Sequence, residues 1–303
     1  MAATYEGCLV CSWSCPGMDV ESVAMTPDGK CLAFFANGSM FVHDVHGVGD
    51  TGRDVDVEGD DGADAETRPL LFVDAHELIP GAECEMLDAV FDVDMTLYVL
   101  CSQAQEGRRA SWLLRFPKNG PDGGWTKCDL GVHPQAYWRA CLDQEGNLMV
   151  STFGPQSLPG APLVSLVSLA SGKVVFSFCP WDAGTADVAA SVQLPDGTRL
   201  FADVGNRRVV LVSADGAHLA QVLTDVVCCD MILGLDGVLL LADLTVYSKP
   251  AIREVCTRTW ATVHQWDVIQ TNGLPVLGAF RIFARQDRIY AVTHSGDEIL
   301  SYA

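Results

Sequence analysis

Val192-Gln-Leu-Pro-Asp-Gly-Thr-Arg-Leu-Phe-Ala-Asp203 runs straight into Val204-Gly-Asn-Arg-Arg-Val-Val-Leu-Val-Ser-Ala-Asp-Gly216. The stretch reads as strand, turn, strand, turn, strand. Asp196-Gly197 supplies the positive φ that a tight hairpin needs. The strands beside it are rich in Val, Leu and Phe and suit a sheet covered on both faces. A second turn closes at Asn206, and Asp215-Gly216 opens a third.

The same pattern recurs along the chain. It appears as Val23-Ala-Met-Thr-Pro-Asp-Gly-Lys-Cys-Leu-Ala-Phe-Phe, then as Ala140-Cys-Leu-Asp-Gln-Glu-Gly-Asn-Leu-Met-Val. It returns as Met231-Ile-Leu-Gly-Leu-Asp-Gly-Val-Leu-Leu-Leu-Ala-Asp. Two copies lack the glycine: Ala89-Val-Phe-Asp-Val-Asp-Met-Thr-Leu-Tyr-Val-Leu and Phe280-Arg-Ile-Phe-Ala-Arg-Gln-Asp-Arg-Ile-Tyr-Ala-Val. In the first copy a further hairpin is expected at Asn37-Gly38. Asn37-Gly-Ser also fits a glycosylation acceptor, but no secretory leader accompanies it, so the turn is the expected role. Six copies about 40 to 65 residues apart match the period of propeller blades with loop insertions. The expectation is therefore all-β: a six-bladed β-propeller filling residues 1–303 as one domain. Its ring would close by pairing N- and C-terminal strands in one blade, with residues near 5–13 completing the blade begun near Ala279. Closure would also remove exposed sheet edges.

Composition narrows the partners. Lys and Arg number 19 and Asp and Glu 39, a net charge of −20. Proteins that bind nucleic acid gather cations to displace phosphate counterions. This balance argues against nucleic acid and against an anionic membrane surface, and favours a protein partner, basic if charge guides it. No basic-then-apolar leader opens the chain and no run is long enough to span a bilayer, so a cytoplasmic protein is expected. The twelve cysteines then read mainly as reduced core residues. Cys8, Cys11 and Cys15 cluster, but no second CxxC pair completes a zinc site.

Residues 192–216 resemble one NHL repeat, with its Asp-Gly turn, its Ala-Asp before a turn Asn, and its Arg-Val opening the next strand. They also resemble a blade of the regucalcin and gluconolactonase hydrolases, as does Arg139-Ala-Cys-Leu-Asp-Gln-Glu-Gly-Asn-Leu-Met-Val-Ser-Thr-Phe-Gly. A WD-repeat propeller is the other candidate, on the single pair Trp266-Asp267. The hydrolase resemblance implies a divalent metal such as calcium over the channel, with ligands eight residues before each turn glycine. That offset falls on Glu21, Trp138, Ala189 and Cys229. Only Glu21 is an acid, and one carboxylate cannot satisfy the six to eight oxygens calcium takes. Glu21 is thus the one weak metal candidate, and no cofactor is expected. Asp230 is one residue off and would point away unless its strand slips by a register.

Asp88, Arg139 and Asp230 sit one residue further along their copies. With Glu21 and Trp138 they make the candidate ligand-binding set at the channel mouth. The competing expectation is an ion pair of Arg139 with Asp88 or Asp230. Residues 46–69 form the largest insertion, with eight acids between Asp50 and Glu66, and read as a mobile acidic loop. Asp54, Asp56, Glu58 and Gly59 echo a calcium loop, but Ala65 stands where the closing acid belongs. Trp112 and Trp125, bracketing a hairpin, are either exposed docking aromatics or buried anchors. No Gly-x-Ser-x-Gly or His-Glu-x-x-His motif occurs. The function expected is a non-catalytic binding or scaffolding module, presenting a loop-built surface to a protein or small ligand. The alternative is a metal-dependent lactone or ester hydrolase with a degenerate channel site.

Overall fold

The computed structural model describes residues 9–13, 20–26, 31–36, 39–44, 71–74, 85–106, 108–117, 124–133, 137–143, 145–152, 164–179, 187–234, 237–246, 249–269, 280–285, 288–293 and 299–302. These form six four-stranded antiparallel sheets, the architecture of a β-propeller. The first strands of the sheets are β2 (Val20–Met25), β6 (Glu85–Phe91), β10 (Tyr137–Leu142), β14 (Val188–Gln193), β18 (Cys228–Leu233) and β22 (Phe280–Arg285). The second strands are β3 (Cys31–Ala36), β7 (Leu97–Gln105), β11 (Asn147–Thr152), β15 (Arg199–Asp203), β19 (Leu239–Asp243) and β23 (Arg288–Thr293). The third are β4 (Ser39–Asp44), β8 (Arg108–Phe116), β12 (Val164–Ser168), β16 (Arg208–Val212), β20 (Ala251–Val255) and β24 (Ile299–Tyr302).

Five sheets end on their own fourth strand: β5 (Leu71–Asp74), β9 (Thr126–His133), β13 (Lys173–Phe178), β17 (His218–Thr224) and β21 (Thr262–Asp267). The sheet of β22, β23 and β24 takes its fourth strand from the other end of the chain. There β1 (Leu9–Trp13) pairs antiparallel with β24, joining Leu9 to Tyr302 and Trp13 to Ile299. The N-terminal segment thus completes the last sheet, as the sequence leads one to expect.

Burial follows strand order. β15 and β19 are buried at every residue, whereas β13, β17 and β21 are largely exposed. Apolar side chains fill the space between neighbouring sheets. Leu240, Ile252, Ile282, Ile289 and Leu300 form one such layer, and Leu200, Val209, Val226, Leu239 and Val255 another. Each such side chain contributes about 1.5–3 kcal/mol on burial. Trp112 lies in the layer between the first two sheets, with Trp125 packed against it and Lys127 Nζ 4.1 Å above its ring. These tryptophans are core anchors, which corrects the docking alternative. Cys101, Cys128, Cys141, Cys179, Cys228, Cys229 and Cys256 form no disulfide.

The turns show how one of the weaker copies manages without glycine. Gly146, Gly197 and Gly237 hold φ of 77°, 86° and 73°. In the copy begun at Ala89, Met95 takes the same position at φ 66°, its N–H bonded to Asp92 O. Asp92 Oδ1 accepts the N–H groups of Asp94 and Thr96, each at 2.9 Å, and this cap offsets the strain at Met95. β3 pairs antiparallel with β4, Ala36 opposite Ser39, and the expected turn residues Asn37 and Gly38 lie outside the described residues. The acidic insertion 46–69, including its calcium-like positions, lies outside the described residues, as do Cys8 and Cys15.

Candidate functional site

All six first strands contribute to one cavity of about 210 Å³, which places it on the propeller axis. Its polar lining is Asp88, Arg139, Cys141, Ser191, Asp230 and Arg281. Three of the five residues expected at the channel mouth are therefore brought together: Asp88, Arg139 and Asp230. Glu21 and Trp138 lie on β2 and β10, and their side chains are outside the described residues.

A repeated irregularity aims these side chains inward. The register between first and second strands shifts between Val20 and Ser22, Met86 and Asp88, Tyr137 and Arg139, Val188 and Ala190, and Cys228 and Asp230. Each shift leaves one unpaired residue, a β-bulge: Glu21, Leu87, Trp138, Ala189 and Cys229. A bulge rotates the succeeding residues onto the other face of the strand. The position eight before each glycine is thus the bulge itself, and the channel-lining residue is the next one. Cys229 confirms the turn, because its Sγ lies 3.4 Å from Ala242 O and from Phe280 O, inside the packing between sheets. Asp230 does not point away; the bulge provides the slip its inward orientation requires.

Arg281, which sequence reasoning missed, holds the site together. Its Nη1 donates to Asp88 Oδ1 at 2.8 Å and its Nε to Asp230 Oδ2 at 3.1 Å. Asp88 Oδ2 also accepts Ala140 N–H at 2.8 Å, and Asp230 Oδ2 accepts Ile282 N–H at 2.9 Å. Asp230 Oδ1 accepts Met231 N–H at 3.0 Å. The expected pairing of Arg139 with either aspartate does not form among the described residues. Arg139 donates Nε to Ala189 O at 2.9 Å instead, because that bulge carbonyl turns toward it. A signal for Arg281 existed: a charge followed by apolar residues before the turn, as in Asp88-Ala-Val-Phe, Arg139-Ala-Cys-Leu and Asp230-Met-Ile-Leu. Its copy lacks the turn glycine, as the copy of Asp88 does, so the charge pattern alone pointed to it.

Burial works against the Arg281 charge, but Asp88 and Asp230 outweigh it and raise its pKa above the usual arginine value. Burial, and then the neighbouring Arg281 charge, lower that of Arg139. Burial pushes the Cys141 thiol up to about 12, even though its Sγ lies 3.2 Å from Ser191 Oγ. It does the same to Cys229, also to about 12. Thiols so shifted are not nucleophiles near neutrality. Both aspartates already accept N–H donors, from Arg281 and from the backbone. No group of three or more His, Cys, Asp or Glu with metal-binding geometry occurs among the described residues.

No family model matches the sequence, and no curated protein matches it. Solved structures do match in fold. A protein of unknown function from Bacteroides caccae is 15% identical with a TM-score of 0.58, over 84% of this chain and 83% of that one. Virginiamycin B lyase from Staphylococcus aureus is 7% identical with a TM-score of 0.59, over 97% and 98%. Hydrazine synthase of Kuenenia stuttgartiensis is 12% identical with a TM-score of 0.60, over 93% and 75%. At these identities the likeness is one of fold, and the chemistry of those proteins does not transfer with it.

Proposed function

We propose that this protein is a non-catalytic binding or scaffolding module, a closed six-bladed propeller of the NHL and gluconolactonase type. It works in the cytoplasm and presents its loops and channel mouth to a protein or small ligand. The observation that carries this reading is the arginine clamp. Arg281 ties Asp88 and Asp230 to each other, and backbone N–H groups take further lone pairs of both carboxylates. A site that fills its own carboxylates is built for rigidity rather than for turning over a substrate. The charge of −20 suits a basic protein partner, and the acid-rich residues 50–66 are the first segment to test. Affinity capture should retain one stoichiometric partner on the full chain and lose it when 50–66 are deleted. Hydrolysis of a lactone or ester that falls on Glu21→Ala would replace this reading with the metal-dependent hydrolase.

A further inference from the structure

Two pairs of neighbouring sheets repeat one arrangement. Asp88 accepts the N–H of Ala140, the residue after Arg139, from the next sheet. Asp230 accepts the N–H of Ile282, the residue after Arg281, again from the next sheet. The two Asp–Arg couples stand three sheets apart on the ring, and they diverge at the arginines. Arg281 takes both aspartates. Arg139 keeps only its bond to Ala189 O, and its Nη groups meet no acceptor among the described residues. It is half-buried and lines the cavity, and Asp88 and Asp230 support its charge only from beyond ion-pair distance.

We propose that the channel cavity binds a small apolar monocarboxylic acid, whose carboxylate docks on the Nη1 and Nη2 fork of Arg139. This rests on the binding reading above and names a ligand class for it. The planar guanidinium offers two parallel donors that match a carboxylate. Burial and Arg281 disfavour the Arg139 charge more than Asp88 and Asp230 support it, and an anion on its fork would add to that support. The walls include Ala24, Met25, Val90, Phe91, Ile232 and Phe283, an apolar lining for the body of the acid. The volume equals about seven waters, which limits the ligand to the size range of butyrate or benzoate. A phosphate dianion fits poorly, because a single fork and apolar walls leave most of its oxygens without donors.

The test titrates the full chain with butyrate and benzoate, and with butyramide and benzamide as neutral isosteres, by calorimetry or ligand-observed NMR. Binding of the acids at millimolar concentration or below is expected, with the amides about tenfold weaker or worse. Arg139→Gln should weaken acid binding by a similar factor; if that variant fails to fold, the acid–amide comparison on the unaltered chain decides. Equal binding of acid and amide overturns the proposal, as does full affinity in a folded Arg139→Gln chain. Absence of acid binding in a chain that still holds a protein partner overturns this proposal alone. Absence of both overturns the binding reading as well.

Discussion

At the scale of single residues, the most informative ones are charges placed where water is scarce. Asp203, wholly buried, accepts Arg208 Nε at 2.9 Å and Asn206 Nδ2 at 2.8 Å, so it pins the turn between β15 and β16. Asp243 does the same one sheet later with Arg253 and Thr245. This is the physical content of the Ala-Asp, Asn and Arg-Val spacing in the sequence, and there it was legible. The channel clamp differs, because its three members come from three separate repeats. Arg281 has side-chain exposure of 15%, against 0% and 9% for Asp88 and Asp230. Arg281→Met strands two buried carboxylates and should cost about 3–5 kcal/mol in urea denaturation. Arg109 and Glu85 also meet at 2.8 Å, but at 30% and 52% exposure, so Arg109→Ala should cost about 1 kcal/mol or less. Equal costs for the two variants would show that Arg139 swings over to replace Arg281, and that the clamp is not the structural element described.

At the scale of strands, alternation and turns identify each element, yet they cannot reveal one extra residue. The bulges at Trp138, Ala189 and Cys229 leave the local apolar pattern intact while shifting which side chain faces the axis. Counting back from the glycine therefore reached the strand and missed the face. Met95 shows the converse: the turn survives without its glycine because Asp92 caps it, so this copy looked weaker than it is. Two of these inner strands carry thiols with a measurable consequence. Burial raises Cys141 and Cys229 to about 12, and Cys228 well above its usual 9. Between pH 9 and about 12 the unfolded chain gives up protons that the folded chain keeps. Stability is then complete below pH 9 and falls as pH rises, by up to about 1.4 kcal/mol per thiol per pH unit. Urea denaturation from neutral pH to about pH 10 should record this fall, and Cys229→Ala should lessen its slope. A flat profile would mean that these thiols are solvated in the folded chain.

At the scale of the whole molecule, the repeat was readable because each copy must build a sheet that buries both faces against its neighbours. The joining of the two chain ends in one sheet was readable for a related reason: the last copy was one strand short, and Cys8-Leu-Val-Cys-Ser-Trp had no other place. The axis was not readable, since it is where six distant segments meet and where the pairing of Asp88, Asp230 and Arg281 is decided. No helix of the described residues is long and apolar enough to cross a membrane. What separates a binding propeller from a metal-dependent hydrolase is whether an ion or Arg281 organises that axis. Thermal unfolding of the full chain in EDTA, then in excess calcium, magnesium, manganese or zinc, tests this most directly. An ion at about a hundred times its Kd would add about 2.7 kcal/mol to the folded state. The arginine clamp predicts the same Tm in EDTA and in every metal. A metal-dependent rise that disappears with Glu21→Ala would contradict it.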